Sequence, residues 1–186
     1  MDDHPGTYLL IDGENIDATL GGNILGGRPG PEDRPRWDRV RTFVETTFTP
    51  PVTALFFLNA SSGFLPMPFV QALTAMGYRP IPLSGPPGAK VVDIGIQRTL
   101  TALADREGDV VLGSHDADFI PQISALLDDR RVALLAFREF VSLQYGDLEA
   151  SGLEVFDLEL DAGSFTRRLP RLRIIPLDEF DPADFL

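Results

Sequence analysis

The stretch that decides the fold is Tyr8-Leu9-Leu10-Ile11-Asp12-Gly13-Glu14-Asn15. Four consecutive apolar residues without polar alternation read as a strand buried on both faces. Strands of that kind belong to parallel sheets covered by helices on each side. The run ends abruptly on an aspartate, and Asn15 can cap a short helix after it. In an open sheet of this class, ligands bind beyond the carboxyl ends of the strands. Asp12 therefore marks the edge at which to look for chemistry.

Working outward, the same alternation of apolar runs and helical spacing recurs. Gly21, Gly22, Gly26, Gly27 and Gly30, with Pro29, Pro31 and Pro35, make a loop. Residues 37–48 have helical spacing with Val40, Phe43 and Val44 on one face, and 52–58 form a second buried strand. A helix over 69–76 stops at Gly77. Residues 78–83 are a proline-marked strand near an edge, and 84–89 are a Gly/Pro loop. A helix over about 93–106 places Ile94, Leu100 and Leu103 in the core. Strand 109–112, helix 118–127, strand 131–137, a short helix at 139–145 and a strand at 153–156 complete the series. The expected fold is α/β, a mainly parallel sheet with helices on both faces. Residues 1–162 are read as the domain and 163–186 as a poorly packed C-terminal extension.

A chain of 186 residues suits one domain with a real core. With 44% hydrophobic and 24% charged residues, it has the balance of a soluble globular protein. No apolar run approaches the ~18 residues that span a bilayer, and Met1-Asp2-Asp3-His4 lacks the basic region of a secretory leader. No membrane partner is expected, and the absence of cysteine suits a cytoplasmic protein. That absence also excludes disulfides, thiolate metal sites and cysteine nucleophiles. The net charge of −12 argues against coating nucleic acid through a broad basic surface. It is compatible with an enzyme whose acidic site holds divalent cations. Positive charge is gathered instead in two groups: Arg28, Arg34, Arg36, Arg39 and Arg41, and then Arg167, Arg168, Arg171 and Arg173. Both groups are candidates for phosphate contacts, Arg36 and Arg39 among them, and a solvated surface is the ordinary alternative. Lys90 is the sole lysine.

The polar residues that directly follow strands carry the functional signal. Asp12-Gly13-Glu14-Asn15 follows the first strand, Ser114-His115-Asp116-Ala117-Asp118 follows the fourth, and Asp93 opens a helix. Three distant segments would thus bring carboxylates to one edge. Packed carboxylates raise one another's pKa unless something neutralises them, and Mg²⁺ or Mn²⁺ suit carboxylate and water oxygens. Such a site can hydrolyse phosphodiesters without a cysteine, serine or histidine nucleophile. Each residue has an ordinary reading too. Asp12 can be a turn former, Asn15, Asp93 and Asp118 helix caps, Ser114 a turn hydroxyl, and His115 locally bonded. Asp116 is neither a cap nor a charge on a solvated helix face. There is no GxxxxGK[ST] loop and no GxGxxG after a strand, so no nucleotide cofactor is expected. Two histidines, His4 and His115, leave little for zinc sites or Ser-His-Asp triads.

Ile11-Asp12-Gly13-Glu14-Asn15, Lys90-Val91-Val92-Asp93 and Val111-Leu112-Gly113-Ser114-His115-Asp116-Ala117-Asp118-Phe119 together resemble the three motifs of the NYN domain family, a branch of the PIN-like nucleases, over roughly residues 7–157. The resemblance implies a PIN-like Rossmannoid sheet and a metal-dependent endoribonuclease using Mg²⁺ or Mn²⁺. It implies that Asp12, Asp93 and Asp116 bind metal, with Asp118 assisting directly or through water. Asn15 and Ser114 would orient that shell, and Lys90 would contact phosphate. RNA is the implied partner, and homo-oligomerisation is left open. The sequence departs from the family at His115, where a small residue is usual, and in the long Gly/Pro loop after the first motif. Two alternatives remain. One is a non-catalytic RNA- or protein-binding module on this fold. The other is a metal-dependent phosphatase, whose Asp-x-Asp motif Asp12-Gly13-Glu14 approaches only loosely.

Overall fold

In the computed structural model, which describes residues 5–128, 130–172 and 174–186, the 8–11 run forms the middle of a six-stranded parallel sheet. The strands are β1 (Thr7–Asp12), β2 (Val52–Asn59), β3 (Tyr78–Leu83), β4 (Asp109–Gly113), β5 (Val132–Ala136) and β6 (Glu154–Asp157). Their order is β3-β2-β1-β4-β5-β6. β1 pairs with β2 in register Leu10↔Leu55 and with β4 in register Leu10↔Leu112. The chain therefore steps outward from β1 to β3, then crosses back to the other side of β1.

Because side chains alternate across a strand, the apolar runs feed two cores at once. Leu9, Ile11, Val111, Ala133 and Leu135 point to one face. Leu10, Val110, Leu112, Val132 and Leu134 point to the other. On the first face, α1 (Gly13–Thr19), α2 (Trp37–Thr47) and α3 (Met67–Ala75) contribute Ile16, Val40, Val44 and Leu73. On the second, α4 (Val91–Leu103) and α5 (Ile120–Leu126) contribute Ile96, Leu100, Ile123 and Leu126. This two-sided covering is why the central strands carry no polar alternation. Truncating a fully buried residue such as Leu10 to alanine should cost about 2–5 kcal/mol, through lost burial and the cavity left behind.

Some expectations shift. The buried face of α4 runs through Val92, Ile96, Leu100 and Leu103, so Ile94, about 200° around from Val92, points outward and is 41% exposed. The stretch 139–145 is not one helix but two 3₁₀ turns, Arg138–Phe140 and Leu143–Tyr145, and the helix comes later as α6 (Gly146–Ala150). The glycine-rich loop begins as a π-helical continuation of α1 over Leu20–Leu25, ended by Gly26 in the left-handed region (φ 72°). The start of the extension is packed, not loose: Ser164 and Leu169 are buried, and only 7% of the Arg171 side chain is exposed. β3 is an edge strand, as its prolines suggest; Pro80 and Pro82 lack the N–H that a further strand would need. Among the described residues, no helix is long and apolar enough to cross a membrane. The leader reading of residues 1–4 and the arginine at position 173 lie outside the described residues.

Candidate active site

β1 and β4 end side by side where the strand order reverses, the place at which an open parallel sheet leaves a crevice. At the end of β1 the chain enters α1 at once. A Cβ on Gly13 would lie 2.7 Å from the Phe56 ring, so glycine is what lets the helix start against β2. The cap of α1 is Asp12 and not Asn15: Asp12 Oδ1 accepts from the Asn15 amide at 3.2 Å. Asp12 Oδ2 accepts from Ser114 Oγ at 3.0 Å. Only 2% of Asp12 is exposed. Burial pushes its pKa from 3.8 up to about 6, against the lowering effect of those two hydrogen bonds, with smaller contributions from Asp93 and Glu14.

From Ser114 the network continues forward. Ser114 Oγ accepts from the Asp116 amide at 3.2 Å, and Asp116 Oδ1 accepts from the Asp118 amide at 3.0 Å. Asp116, expected to be no cap at all, therefore caps the 3₁₀ turn Ala117–Phe119. The Tyr145 hydroxyl donates to the Asp116 carbonyl at 2.5 Å. Asp93 arrives from the first turn of α4, whose cap is Lys90. One carboxylate oxygen each from Asp93, Asp116 and Asp118 lie within 4.8 Å of one another. The Lys90 ammonium is 3.3 Å from Asp118 and 3.5 Å from Asp93 while remaining 69% exposed. Its hydrogen bond to Asp118 raises its pKa first of all, helped by the charges of Asp118 and Asp93. The Asp93 carboxyl is raised by burial, with Lys90 opposing and Asp116 and Asp118 adding to the rise. Glu14 moves the same way, through desolvation and then Asp93. The structure thus gathers Asp93, Asp116 and Asp118, sets Asp12 behind them through Ser114, and adds Glu14 to the same field.

His115 is buried, and its hydrogen bonds fix its proton. The Phe137 amide donates to Nε2 at 2.8 Å, so Nε2 must be the unprotonated nitrogen. Nδ1–H then donates to Asn15 Oδ1 at 2.9 Å, and the same oxygen accepts from the His115 amide at 2.8 Å. Asn15 is therefore a clamp between α1 and the end of β4. Burial lowers the imidazole pKa from 6.5 to about 4. The ring stacks on Phe137 (centroids 5.6 Å apart, planes 13° apart), and Phe137 carries the Arg171 guanidinium on its other contacts, 5.2 Å from the ring centroid. Arg171 is held by Glu139, by Asp157 at 2.5 Å and by Glu159 at 2.9 Å. Burial works to raise the Asp157 carboxyl, but the hydrogen bonds from Arg171 and from the Leu160 and Arg138 amides, with the Arg171 charge, together hold its pKa below the usual carboxylate value.

Most of the arginines considered for phosphate contact have protein partners. Arg34 pairs with Asp17 at 2.8 Å, Arg41 with Glu45 at 3.0 Å, and Arg167 with Asp33. Arg39 donates to the Gly163 and Phe165 carbonyls at 3.2 and 3.1 Å. Arg36 pairs with Asp38 at 3.1 Å and is about half exposed. Arg171 is sunk in its carboxylate cage, which removes it from any solvent-facing tail.

The fold and its acidic switch-point crevice define a Rossmann-like α/β protein with a candidate metal site. Residues 6–145 match the NYN domain, and the chain belongs to that family. Among solved structures it is similar to a Vibrio parahaemolyticus protein of unknown function, with a TM-score of 0.64 and 17% identity over 87% of this chain and 97% of that one. That likeness concerns the fold alone. No curated protein matches the chain.

Proposed function

We propose that this chain is a divalent-metal-dependent ribonuclease, cutting RNA phosphodiester bonds internally, with Asp12, Asp93, Asp116 and Asp118 as its metal site. The observation that carries this is the convergence of carboxylate oxygens from Asp93, Asp116 and Asp118 within 4.8 Å at the switch point. The donor set fits the ion: it is all carboxylate oxygen, which suits hard Mg²⁺ or Mn²⁺, and the Asp93 carboxyl, raised first by burial and further by the charges of Asp116 and Asp118, is one that such an ion would hold ionised. When bound, the ion would supply positive charge beside the phosphodiester and make a nearby water more acidic.

The chain's own groups do the rest. Ser114 holds the Asp12 carboxylate and, through the Asp116 amide, sets where Asp116 points. Asn15 ties α1 to the end of β4, so the two halves of the site cannot drift apart. Lys90 neutralises Asp93 and Asp118 in the free protein and turns to a phosphate oxygen once substrate and cation arrive. Arg36, half exposed, is a second phosphate contact. Arg39 could serve only by giving up its carbonyl partners.

One observation favours the non-catalytic alternative. The Lys90 ammonium already bridges two of the carboxylates, as an internal cation would in a module without metal. Incubation of structured and single-stranded RNAs with the protein in Mn²⁺, and again in chelator, separates the two. The proposal expects cutting in Mn²⁺ alone, abolished in Asp116→Asn; intact RNA in every condition would favour the binding module.

A further inference from the structure

The carboxylate cluster uses one flank of α4, and the other flank borders a groove of about 440 Å³. Ile81 and Leu83 of β3 form one wall, and Val91, Ile94, Gly95 and Arg98 of α4 the other. At 100° per residue, these helix positions lie roughly 100–200° around from Asp93. The groove and the cluster therefore lie on different flanks of a single helix, whose N-cap is Lys90.

Three features suit a flat, partly apolar ligand. Ile94 offers an apolar surface that the core does not use, 41% exposed. The floor is shaped by glycine, since a Cβ on Gly95 would meet Leu83 Cδ1 at 2.3 Å. Arg98 has no hydrogen-bond or ion-pair partner for its side chain among the described residues, in a protein whose other arginines are largely committed to carboxylates and carbonyls. An unpaired cation at the rim of an apolar groove, on a chain of net charge −12, complements a polyanion that carries apolar faces.

We propose that this groove binds an unpaired nucleobase of the RNA strand whose phosphate is held at the carboxylate cluster, on the other flank of α4, with Arg98 on the base edge. This rests on the ribonuclease reading above and narrows it to single-stranded RNA. A base that is paired and stacked in a duplex has no free face to lay against Ile94, whereas an unpaired base can leave the strand and enter a pocket. The backbone fixes position at the cluster, and the groove reads the presence of a base.

The test compares a single-stranded RNA with an abasic ribose-phosphate chain of equal length, by fluorescence anisotropy, in the Asp116→Asn background to prevent cutting. Intact RNA should bind about tenfold tighter than the abasic chain, a contribution typical of one base contact. Ile94→Ser and Arg98→Ala, both at exposed positions, should each remove most of that advantage. Affinity for the abasic chain should stay within twofold in Ile94→Ser. A duplex should bind no better than the abasic chain. If wild type cuts RNA in Mn²⁺ but binding shows no base-dependent difference, the groove is not a base site and the nuclease reading survives. If wild type cuts nothing and neither chain binds, the nuclease reading falls and takes the groove with it.

Discussion

Replacing Asp12 by asparagine separates an electrostatic cluster from a simple helix cap. Asp12 has a pKa near 6 in the folded chain against 3.8 in the unfolded one. The native state thus binds the extra proton between about pH 4 and 6, and stability falls as pH rises through that window. Above pH 6 the cost of the buried charge is fully present. A rise of that size corresponds to about 3 kcal/mol. The replacement amide keeps the acceptor for the Asn15 amide and can donate to Ser114 Oγ, so the cap survives. At pH 8 in chelator, Asp12→Asn should therefore be more stable than wild type by up to about 3 kcal/mol, or ~6–12 °C in Tm for a chain of this size. The advantage should shrink to about 1 kcal/mol near pH 4.5 and vanish only below pH 3.8, where the unfolded chain is protonated too. Mn²⁺ should raise the wild-type Tm by binding the folded state preferentially and raise the mutant's less. Melting curves for both proteins, at both pH values and with and without metal, decide the matter. A mutant no more stable at pH 8, or equally favoured at pH 4.5, would show that buried charge is not what Asp12 contributes.

Other outcomes follow from the same geometry. Asp116→Asn should bring RNA cleavage in Mn²⁺ to background with stability within about 1 kcal/mol of wild type, because asparagine caps about as well as aspartate; retained cleavage would dismiss Asp116 from the site. Arg171→Met leaves Glu139, Asp157 and Glu159 facing one another without a cation and should cost about 3–5 kcal/mol in urea unfolding, whereas a loss below about 1 kcal/mol would mean the cage is not stabilising. His115 should stay neutral down to about pH 4. The unfolded chain takes that proton first, so its contribution to stability is complete above pH 6.5 and is lost as pH falls toward 4. The imidazole NMR resonances of the folded protein report this directly, and a midpoint near 6.5 would contradict the bonded, buried ring.

The parts of the fold legible in the sequence are those that burial writes locally. The runs 8–11 and 52–58 are apolar because both sheet faces are covered, and an acid directly after such a run can only lie at the sheet's edge. That places Asp12 and the Ser114–Asp118 segment at one edge, whereas Asp93 opens a helix after a loop and joins Asp116 and Asp118 through α4. Choosing between Asp12 and Asn15 as the cap was beyond the local sequence, since both residues cap well. The choice is made by Ser114 and His115, about a hundred residues downstream. Tyr145 and Arg171 left no local signal either, because a hydroxyl on the Asp116 carbonyl and a guanidinium in a carboxylate cage are contacts of the folded chain. Arg171 even looked like part of a solvated charge run. Ile94 lies about 180° around the helix from Leu103, so its apolar character is no guide to burial: the buried face is set by Val92, Ile96, Leu100 and Leu103. Glu14 lies within the first motif, and the effect of the Asp93 charge on it arises only once α4 is docked.

The two prolines of β3 have a consequence for how this protein behaves in a crowded solution. Pro80 and Pro82 are two residues apart, so their missing N–H groups fall on the same side of the strand. β3 pairs with β2 on its inner side, which leaves the donorless side outward. A foreign strand, or a second copy's edge, arriving there would find carbonyls without the matching donors at those two positions. The opposite edge, β6, is only four residues long. A sheet whose outer strands are so blunted resists being extended by its neighbours, which guards against edge-to-edge aggregation while leaving the carboxyl ends of the strands open to solvent.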